Sequence, residues 1–244
     1  MKRLLALVVV VGLAGCGDDD SSGPDTESQL VVGALLSLTG PGQTLGRTSE
    51  TALELAADDL NARFTDQSSP IRVSLRVEDT GLDPTQALDR LRTLAGQGVR
   101  LFVGPQSSSE VGALKTFADS AGVVLLSQGS TAGALSIPDD NIFRLVPDDG
   151  AEGAAMVELL REDGIETVVP LWREDAGNQG LHDAVERLFE EAGGTVTAGA
   201  SYAPGTTDFT ATLATIRSEI ETAVAAGGAS TVAVYFAAFE ESTV

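Results

Sequence analysis

Leu101-Phe102-Val103-Gly104-Pro105-Gln106-Ser107-Ser108-Ser109-Glu110 is the stretch that decides the fold. It begins with an apolar run of strand character and turns at a glycine-proline pair before a segment with one apolar helical face. Ser107, followed three residues later by Glu110, forms a capping box, which marks a helix N-terminus. The stretch therefore predicts a strand, a loop and a helix, the repeating unit of α/β proteins.

The same unit recurs on both sides of this stretch. Short apolar runs alternate with segments whose apolar residues recur at the spacing of one buried helix face. The predicted strands are Leu30–Leu36, Val73–Val77, Leu101–Val103, Val123–Leu126, Val168–Leu171, Thr195–Ala200 and Thr231–Phe236. A further helix start lies at Asp83–Gln86, with an N-cap, a first-turn proline and a capping-box partner. The alternation predicts a mostly parallel sheet with helices on both faces.

The alternation is interrupted between Ser130 and Gly150, where Pro138 and Pro147 break the pattern. A hinge between two α/β lobes accounts for the interruption, so we predict one lobe at residues 30–145 and another at 146–244. The last apolar strand, Thr231–Phe236, has no crossover helix after it, although such a strand needs a helix to cover it. The second lobe is therefore expected to be incomplete.

The N-terminus has the features of an export signal. Two basic residues precede an apolar run that ends at Leu13-Ala14-Gly15-Cys16, and the run is shorter than the roughly 20 residues of a membrane span. It resembles the bacterial lipoprotein signal; an ordinary cleaved signal is the alternative. We predict a signal peptide at 1–15, and a lipidated Cys16 with a disordered acidic linker at 16–29. The protein would then be exported and lipid-anchored, in the periplasm or on the outer face of the cell membrane.

Composition argues against several classes of function. The net charge of −21 opposes nucleic-acid binding. The chain has no Cys/His metal set, no G-x-S-x-G elbow and a single histidine, His182, which we expect to be exposed. Gly40–Gly46 departs from the dinucleotide spacing and is interpreted as a turn near a ligand. We therefore expect no enzyme activity, cofactor or metal.

Hydroxyl-rich loops follow two neighbouring predicted strands. Ser107, Ser108 and Ser109 follow one strand, and Ser127-Gln128-Gly129-Ser130-Thr131 follows the next. Ligands of open parallel sheets bind beyond these strand ends, and a helix N-terminus with hydroxyls suits a carboxylate. Ser107 is expected to serve as the cap, whereas Ser108 and Ser109 are not needed for it. Aromatic residues could line a pocket or belong to the core; these are Trp172, Tyr235, Phe236 and Phe239.

Several motifs, taken in order, resemble the leucine/isoleucine/valine-binding family of periplasmic substrate-binding proteins of ABC transporters, the type I two-lobed class. The resemblance covers about Leu30 to Glu241. Its motifs are Val32–Pro41, Glu78-Asp79 with Asp83-Pro84, Val103-Gly104-Pro105 with Ser107-Ser108, Gly122–Ser127, Phe143-Arg144, Gly180-Leu181, Glu191–Gly194 and Tyr202–Phe209. The family is longer, so the resemblance also implies a chain shortened at its C-terminus.

The resemblance implies two lobes that close over an amino-acid-like ligand, delivered to an ABC permease of the branched-chain amino acid type. Ser108 and Thr131 would bind the ligand carboxylate, and the Gly129 carbonyl would help to hold the ammonium. Asp149 falls at a family position near the cleft. Three aromatic positions of the family differ here: Leu45 and Gly177 stand where tyrosine is common, and Phe239 replaces another. The hydroxyl-rich loops add Ser107, Ser109 and Ser130 as candidate site residues. A sensor of the same fold and a surface α/β hydrolase are the alternatives.

Overall fold

Two parallel β-sheets organise residues 28–239, the part of the chain that the computed structural model describes. The predicted signal peptide, Cys16 and nearly all of the predicted linker lie outside these residues. Within them, no helix combines the length and apolar character needed to span a bilayer.

The first sheet has five parallel strands in the order β2-β1-β3-β4-β5. Its strands are β1 (Ser28–Leu36), β2 (Ile71–Asp79), β3 (Leu101–Val103), β4 (Val124–Ser127) and β5 (Ile142–Arg144). The helices that connect them are α1 (Gln43–Asp66), α2 (Pro84–Gly96) and α3 (Ser108–Ala121). Leu35, Phe102 and Leu125 point from three strands into a core closed by Leu91 of α2 and Leu114 of α3. Burial of these apolar side chains holds the helices on the sheet.

The second sheet is built around β6 (Thr167–Arg173). Two short strands, β7 (Thr195–Val196) and β8 (Ala200–Tyr202), pair with one edge of β6, and β9 (Val232–Ala237) pairs with the other. The helices of this region are α4 (Asp149–Glu162), α5 (Ala176–Glu191) and α6 (Thr210–Gly227). One face of β6 packs against α4 and α5, and the other packs against α6.

Three local features differ from the sequence-based expectations. The strand expected at 195–200 is divided into β7 and β8. β5 was not predicted, because three residues give too little periodicity to recognise. α4 was also missed, since its first turn falls at the end of the proline-interrupted region. On β9, Val234 and Phe236 are 49% and 44% exposed, so the described residues leave part of this strand's α6-side face uncovered.

The helix-start predictions were largely correct. The Asp83 carboxylate accepts a hydrogen bond from the Gln86 backbone N–H, as an N-cap does. The Gln86 side chain, however, donates to the Asp79 carbonyl rather than completing a capping box. At α3 the capping box between Ser107 and Glu110 is complete, so this helix begins where the sequence predicted.

Candidate functional site

A cleft of about 380 Å³ lies where residues from the carboxyl-end loops of the first sheet meet residues from the second. Its volume is at the low end of the range for small-molecule sites. Leu45, Ser107, Ser108, Gly129 and Thr131 line one wall; Asp149, Glu152, Met156, Gly177, Asn178, Leu181, Phe236, Ala237, Ala238 and Phe239 line the other. Eight of the ten candidate site residues therefore meet in one cavity, although they come from both halves of the chain.

Ser108 lies at the first position of α3 and is buried at the wall of the cleft. Its hydroxyl oxygen accepts hydrogen bonds from the Ser130 hydroxyl and from the Ala132 backbone N–H, each at 3.1 Å. A serine hydroxyl has two acceptor sites and one proton to donate. With both acceptor sites occupied, the Ser108 proton is directed to a new acceptor, and a ligand carboxylate in the cleft would be such an acceptor.

Ser107 is committed to its helix rather than to the cleft. Its hydroxyl donates to Glu110 Oε2 at 2.7 Å and accepts from the Glu110 backbone N–H at 3.2 Å. This confirms the expectation that Ser107 acts as a cap, a role worth roughly 0.5–2 kcal/mol of stability.

Ser109 and Ser130 are the two candidates that do not line the cleft. The Ser109 hydroxyl accepts a hydrogen bond from the Ala176 backbone N–H at 3.1 Å, which joins α3 to the first turn of α5. Ser130 is fully buried, and its hydroxyl orients Ser108. Both residues therefore position groups that line the cleft without lining it themselves.

Gly129 and Thr131 are part of the loop after β4. The Gly129 carbonyl oxygen accepts no hydrogen bond from residues 28–239, so it is available to a donor in the cleft. The Thr131 carbonyl accepts from the Asp149 backbone N–H at 3.0 Å, which ties this loop to the start of α4.

Asp149 is the most unusual side chain of the cleft. The residue is only 3% exposed, yet neither carboxylate oxygen has a hydrogen-bond partner among the described residues. Burial raises the pKa of the Asp149 carboxyl, and the charge of Glu152 raises it further. The Thr131 hydroxyl lies close enough to oppose this rise, although it forms no hydrogen bond with the carboxylate. A Cβ atom at Gly180 would overlap this carboxylate, so glycine there makes room for it. An acidic pair such as Asp148-Asp149 is typical of a solvated loop, but the burial of Asp149 corrects that interpretation.

The cleft combines positive helix ends with a negative side-chain charge. The first turns of α3, α4 and α5 all contribute to its lining, through Ser108, Asp149 and Gly177. Helix N-termini favour anions, because their backbone N–H groups and dipoles point outward. Among the described lining residues, only Asp149 and Glu152 carry a charge. This arrangement suits a zwitterion, with its carboxylate near α3 and its ammonium near Asp149.

The rest of the cleft is mainly apolar. Met156, Leu181 and Phe236 line it from the second wall, while Phe239 lies with its ring 5.0 Å from the Arg173 guanidinium. Leu45, at the rim, is 56% exposed. The lining residues that were not predicted from the sequence are Glu152, Met156, Asn178, Leu181, Ala237 and Ala238. Asp149, Glu152 and Met156 recur at helical spacing, which would have identified them had α4 been recognised.

Three residues considered for the site lie elsewhere. Trp172 packs beside the core of the second sheet and stacks on His182, with ring centroids 3.9 Å apart. His182 is buried, so the expectation that it is exposed was wrong; its position beside the apolar stripe is covered by Trp172. Tyr235 belongs to the core. Within the Gly40–Gly46 turn, only Leu45 lines the cleft. Gly46 packs against the chain instead, close to the Ser37 carbonyl.

Comparison with known proteins gives one family match, described as periplasmic binding protein, over residues 29–242. An uncharacterized protein of Methanocaldococcus jannaschii is 30% identical over 96% of this chain and 58% of its own length. The Leu/Ile/Val-binding protein BraC3 of Rhizobium johnstonii is 25% identical over 84% of this chain and 56% of its own. The chain thus spans a little more than half the length of these relatives.

Solved structures share the fold. A leucine-binding protein LivK from Thermotoga maritima superposes with a TM-score of 0.69 and 23% identity, covering 78% of this chain and 53% of its own. The substrate-binding protein LivJ from Streptococcus pneumoniae, solved with isoleucine, gives a TM-score of 0.69 and 19% identity, with coverages of 85% and 64%. These likenesses confirm the predicted two-lobed α/β architecture with parallel sheets flanked by helices.

Proposed function

The chain belongs to the periplasmic binding protein family, and we propose that it captures an amino acid or a similar small zwitterion between its two lobes. The family and the fold are those of solute-binding proteins rather than enzymes. The observation that carries the proposal is Asp149, a buried carboxylate without a hydrogen-bond partner within residues 28–239, which lines the same cleft as a serine with a proton to donate. Such a pair complements the two charged ends of an amino acid.

We assign the ligand carboxylate to the first wall. The Ser108 hydroxyl has its acceptor sites filled, and Thr131 contributes a second hydroxyl beside it in the cleft lining. The N-terminus of α3 adds a favourable dipole for an anion. Hydrogen bonds to a charged group contribute about 1.5–3 kcal/mol each, so two hydroxyls supply a substantial part of small-ligand affinity.

We assign the ligand ammonium to Asp149 and the Gly129 carbonyl. The charge of an ammonium would compensate the buried carboxylate, and the carbonyl would accept one of its protons. The apolar lining of Met156, Leu181 and Phe236 would then receive the ligand side chain. Named relatives bind leucine, isoleucine and valine, which supports an apolar side chain here. Gly177 and Leu45 stand at positions where the family often has tyrosine, so the selectivity of this chain need not match theirs.

We propose that binding couples to closure of the lobes, with the boundary between residues 145 and 146. A Cβ at Gly177 would lie 3.5 Å from Ser108 Oγ, so the first turn of α5 already covers the first wall. The Ser109 hydroxyl secures this approach through its bond from the Ala176 N–H. A ligand that contacts both walls favours this arrangement over an open one.

We further propose that the protein is lipid-anchored at Cys16 on the outer side of the membrane and delivers its ligand to an ABC permease. The family match implies an extracytoplasmic location. The anchor rests on the signal sequence alone, and the permease rests on the role of the family. A sensor of the same fold would use the same cleft, and the genes beside this one, for a permease or for a signalling protein, would distinguish the two roles.

A thermal melt of the purified chain with a panel of amino acids tests the proposal. A ligand at about 100 times its dissociation constant adds roughly 2.7 kcal/mol of stability. For a chain of this size we expect the midpoint to rise by about 5–10 °C with the preferred amino acid. The decarboxylated amine and the N-acetyl derivative of that amino acid serve as controls, because each lacks one charged end. A cooperative melt that no amino acid shifts would contradict the proposal.

A further inference from the structure

Three potential metal ligands lie together on α5, outside the cleft. The nearest ligand atoms of His182, Asp183 and Glu186 all lie within 4.8 Å of one another. His182 and Glu186 are one helical turn apart, and Asp183 follows the histidine directly. Solute binding, as proposed above, makes no use of this cluster.

His182 is the strongest reason to regard the cluster as a site. The residue is 7% exposed, and its ring is nearly parallel to that of Trp172, at an angle of 8°. The imidazole makes no hydrogen bond within residues 28–239, and Glu186 Oε2 lies 3.9 Å from its Nε2. An imidazole that faces two carboxylates without a hydrogen bond to either has a nitrogen free to coordinate an ion.

The positions of the three groups favour a cation between them. The imidazole lies beside both carboxylates without a hydrogen bond to either, and Glu186 Oε2 is 3.9 Å from its Nε2. A cation between the three groups would bond to all of them.

A network of side chains orients one of the carboxylates. The Trp172 indole N–H donates to Gln179 Oε1 at 2.9 Å, and the Gln179 amide donates to Asp183 Oδ1 at 2.7 Å. Metal ligands are commonly held by such second-layer hydrogen bonds. Asp183 is fixed through one oxygen, while Glu186, one turn further along the helix, is half-buried and adjacent to the ring.

We propose that His182, Asp183 and Glu186 form a binding site for a divalent transition-metal ion, with Zn²⁺ as the best-matched probe. Zinc binds imidazole nitrogen and carboxylate oxygen at about 2.0–2.2 Å, which places the ligand atoms ~3–3.5 Å apart. Side-chain rotations of Asp183 and Glu186 would close the observed spacing to this value. The imidazole favours zinc over calcium and magnesium, which prefer oxygen ligands.

Zinc titration of the full chain tests the site, with calorimetry and tryptophan fluorescence as readouts. Trp172 is the only tryptophan of the chain, so its emission reports directly on the stacked His182 ring. We expect one saturable zinc site and a matching change in emission. Asp183→Asn and Glu186→Gln should each weaken binding about tenfold or more. Glu190→Gln, an exposed change on the same helix, should leave the affinity unchanged.

His182→Phe is the decisive variant, because phenylalanine keeps the stack on Trp172 but lacks the ring nitrogens. We expect this variant to fold and to lose both the saturable site and the emission change. If His182→Phe binds zinc as tightly as the natural chain, the proposal is overturned, and the zinc binding belongs to carboxylates of the acidic surface. A natural chain without any saturable zinc binding would overturn it as well.

Discussion

The two walls of the cleft differ in how completely their polar groups are paired. On the first wall, the hydroxyls of Ser107 and Ser108 both bond to neighbouring protein groups. On the second wall, neither oxygen of Asp149 has a partner within residues 28–239, and the hydroxyl of Tyr235, in the adjoining core, has none either. The first wall is therefore organised before a ligand arrives, whereas the second is left with an uncompensated charge that a ligand would neutralise.

Asp149→Asn should give the largest effect, because it removes the charge that distinguishes the second wall. We expect the affinity for the preferred amino acid to fall by about 2–5 kcal/mol, the usual loss when one member of a buried charge pair is removed. The ligand-free chain should at the same time become more stable at neutral pH, since burial raises the pKa of Asp149 and its ionised form opposes folding. Calorimetric titration and denaturant unfolding measure the two effects.

Glu162→Gln provides the matched control for this variant. Glu162 is an exposed carboxylate on the same helix, so neither affinity nor stability should change measurably. An Asp149→Asn chain that binds as tightly as the natural one would show that the ligand ammonium is held elsewhere.

Ser108→Ala should act on the first wall with a smaller effect. Loss of the hydroxyl removes a donor to the ligand and leaves the Ala132 N–H without its acceptor, so we expect affinity to fall by about 1–3 kcal/mol. Ser107→Ala deletes the neighbouring hydroxyl but breaks the α3 cap instead. It should lower the free energy of unfolding by roughly 0.5–2 kcal/mol, with little change in affinity. Equal effects of the two substitutions on affinity would contradict the assigned division of roles.

This difference between the walls also explains how much of the site could be predicted from the sequence. The first wall follows directly from local signals: strands that end in hydroxyl-rich loops, and a capping box that fixes where α3 begins. The two loops that carry Ser108 and Thr131 are therefore predictable from the sequence as parts of one site. The resemblance to a known family added Asp149, Gly177 and Phe239 as positions near the cleft.

The second wall was harder to predict, because tertiary packing rather than local pattern creates it. The burial of Asp149 against Gly180 results from the close approach of α4 and α5. It therefore cannot be predicted from the residues near Asp149 in the sequence. The same applies to His182, which is polar and lies beside the apolar stripe of α5 but is enclosed by Trp172, ten residues earlier in the chain. Glu152 and Met156 were missed together with the helix that carries them.

The pH dependence of ligand affinity should distinguish the contribution of the second wall from that of the first. Burial, Glu152 and Asp148 raise the pKa of Asp149 above the ordinary value for an aspartate, although the Thr131 hydroxyl and Arg144 oppose the rise. Ligand affinity should therefore fall as the pH drops through this raised pKa, by about tenfold for each pH unit below it. The stability of the ligand-free chain should change in the opposite sense, because the ionised carboxylate is the form that opposes folding.

The Asp149→Asn variant supplies the control for this experiment. Its affinity, although weak, should stay constant over the range in which the natural chain loses binding. A pH profile that is identical in both chains would assign the titration to a group other than Asp149.

Ser109→Ala should have the smallest effect, and it tests whether the walls act together. The Ser109 hydroxyl touches no part of the cleft but accepts a hydrogen bond from the Ala176 N–H across the two lobes. Its loss should disfavour the closed arrangement by about 0.5–1.5 kcal/mol and weaken binding by no more than that amount. Ser120→Ala, at the far end of α3, is the matched control. If Ser109 acts through closure of the lobes, Ser109→Ala should weaken the binding of every amino acid by the same amount, because Ser109 contacts the other lobe and not the ligand. A loss of affinity that varies with the ligand side chain would place Ser109 in the binding site itself.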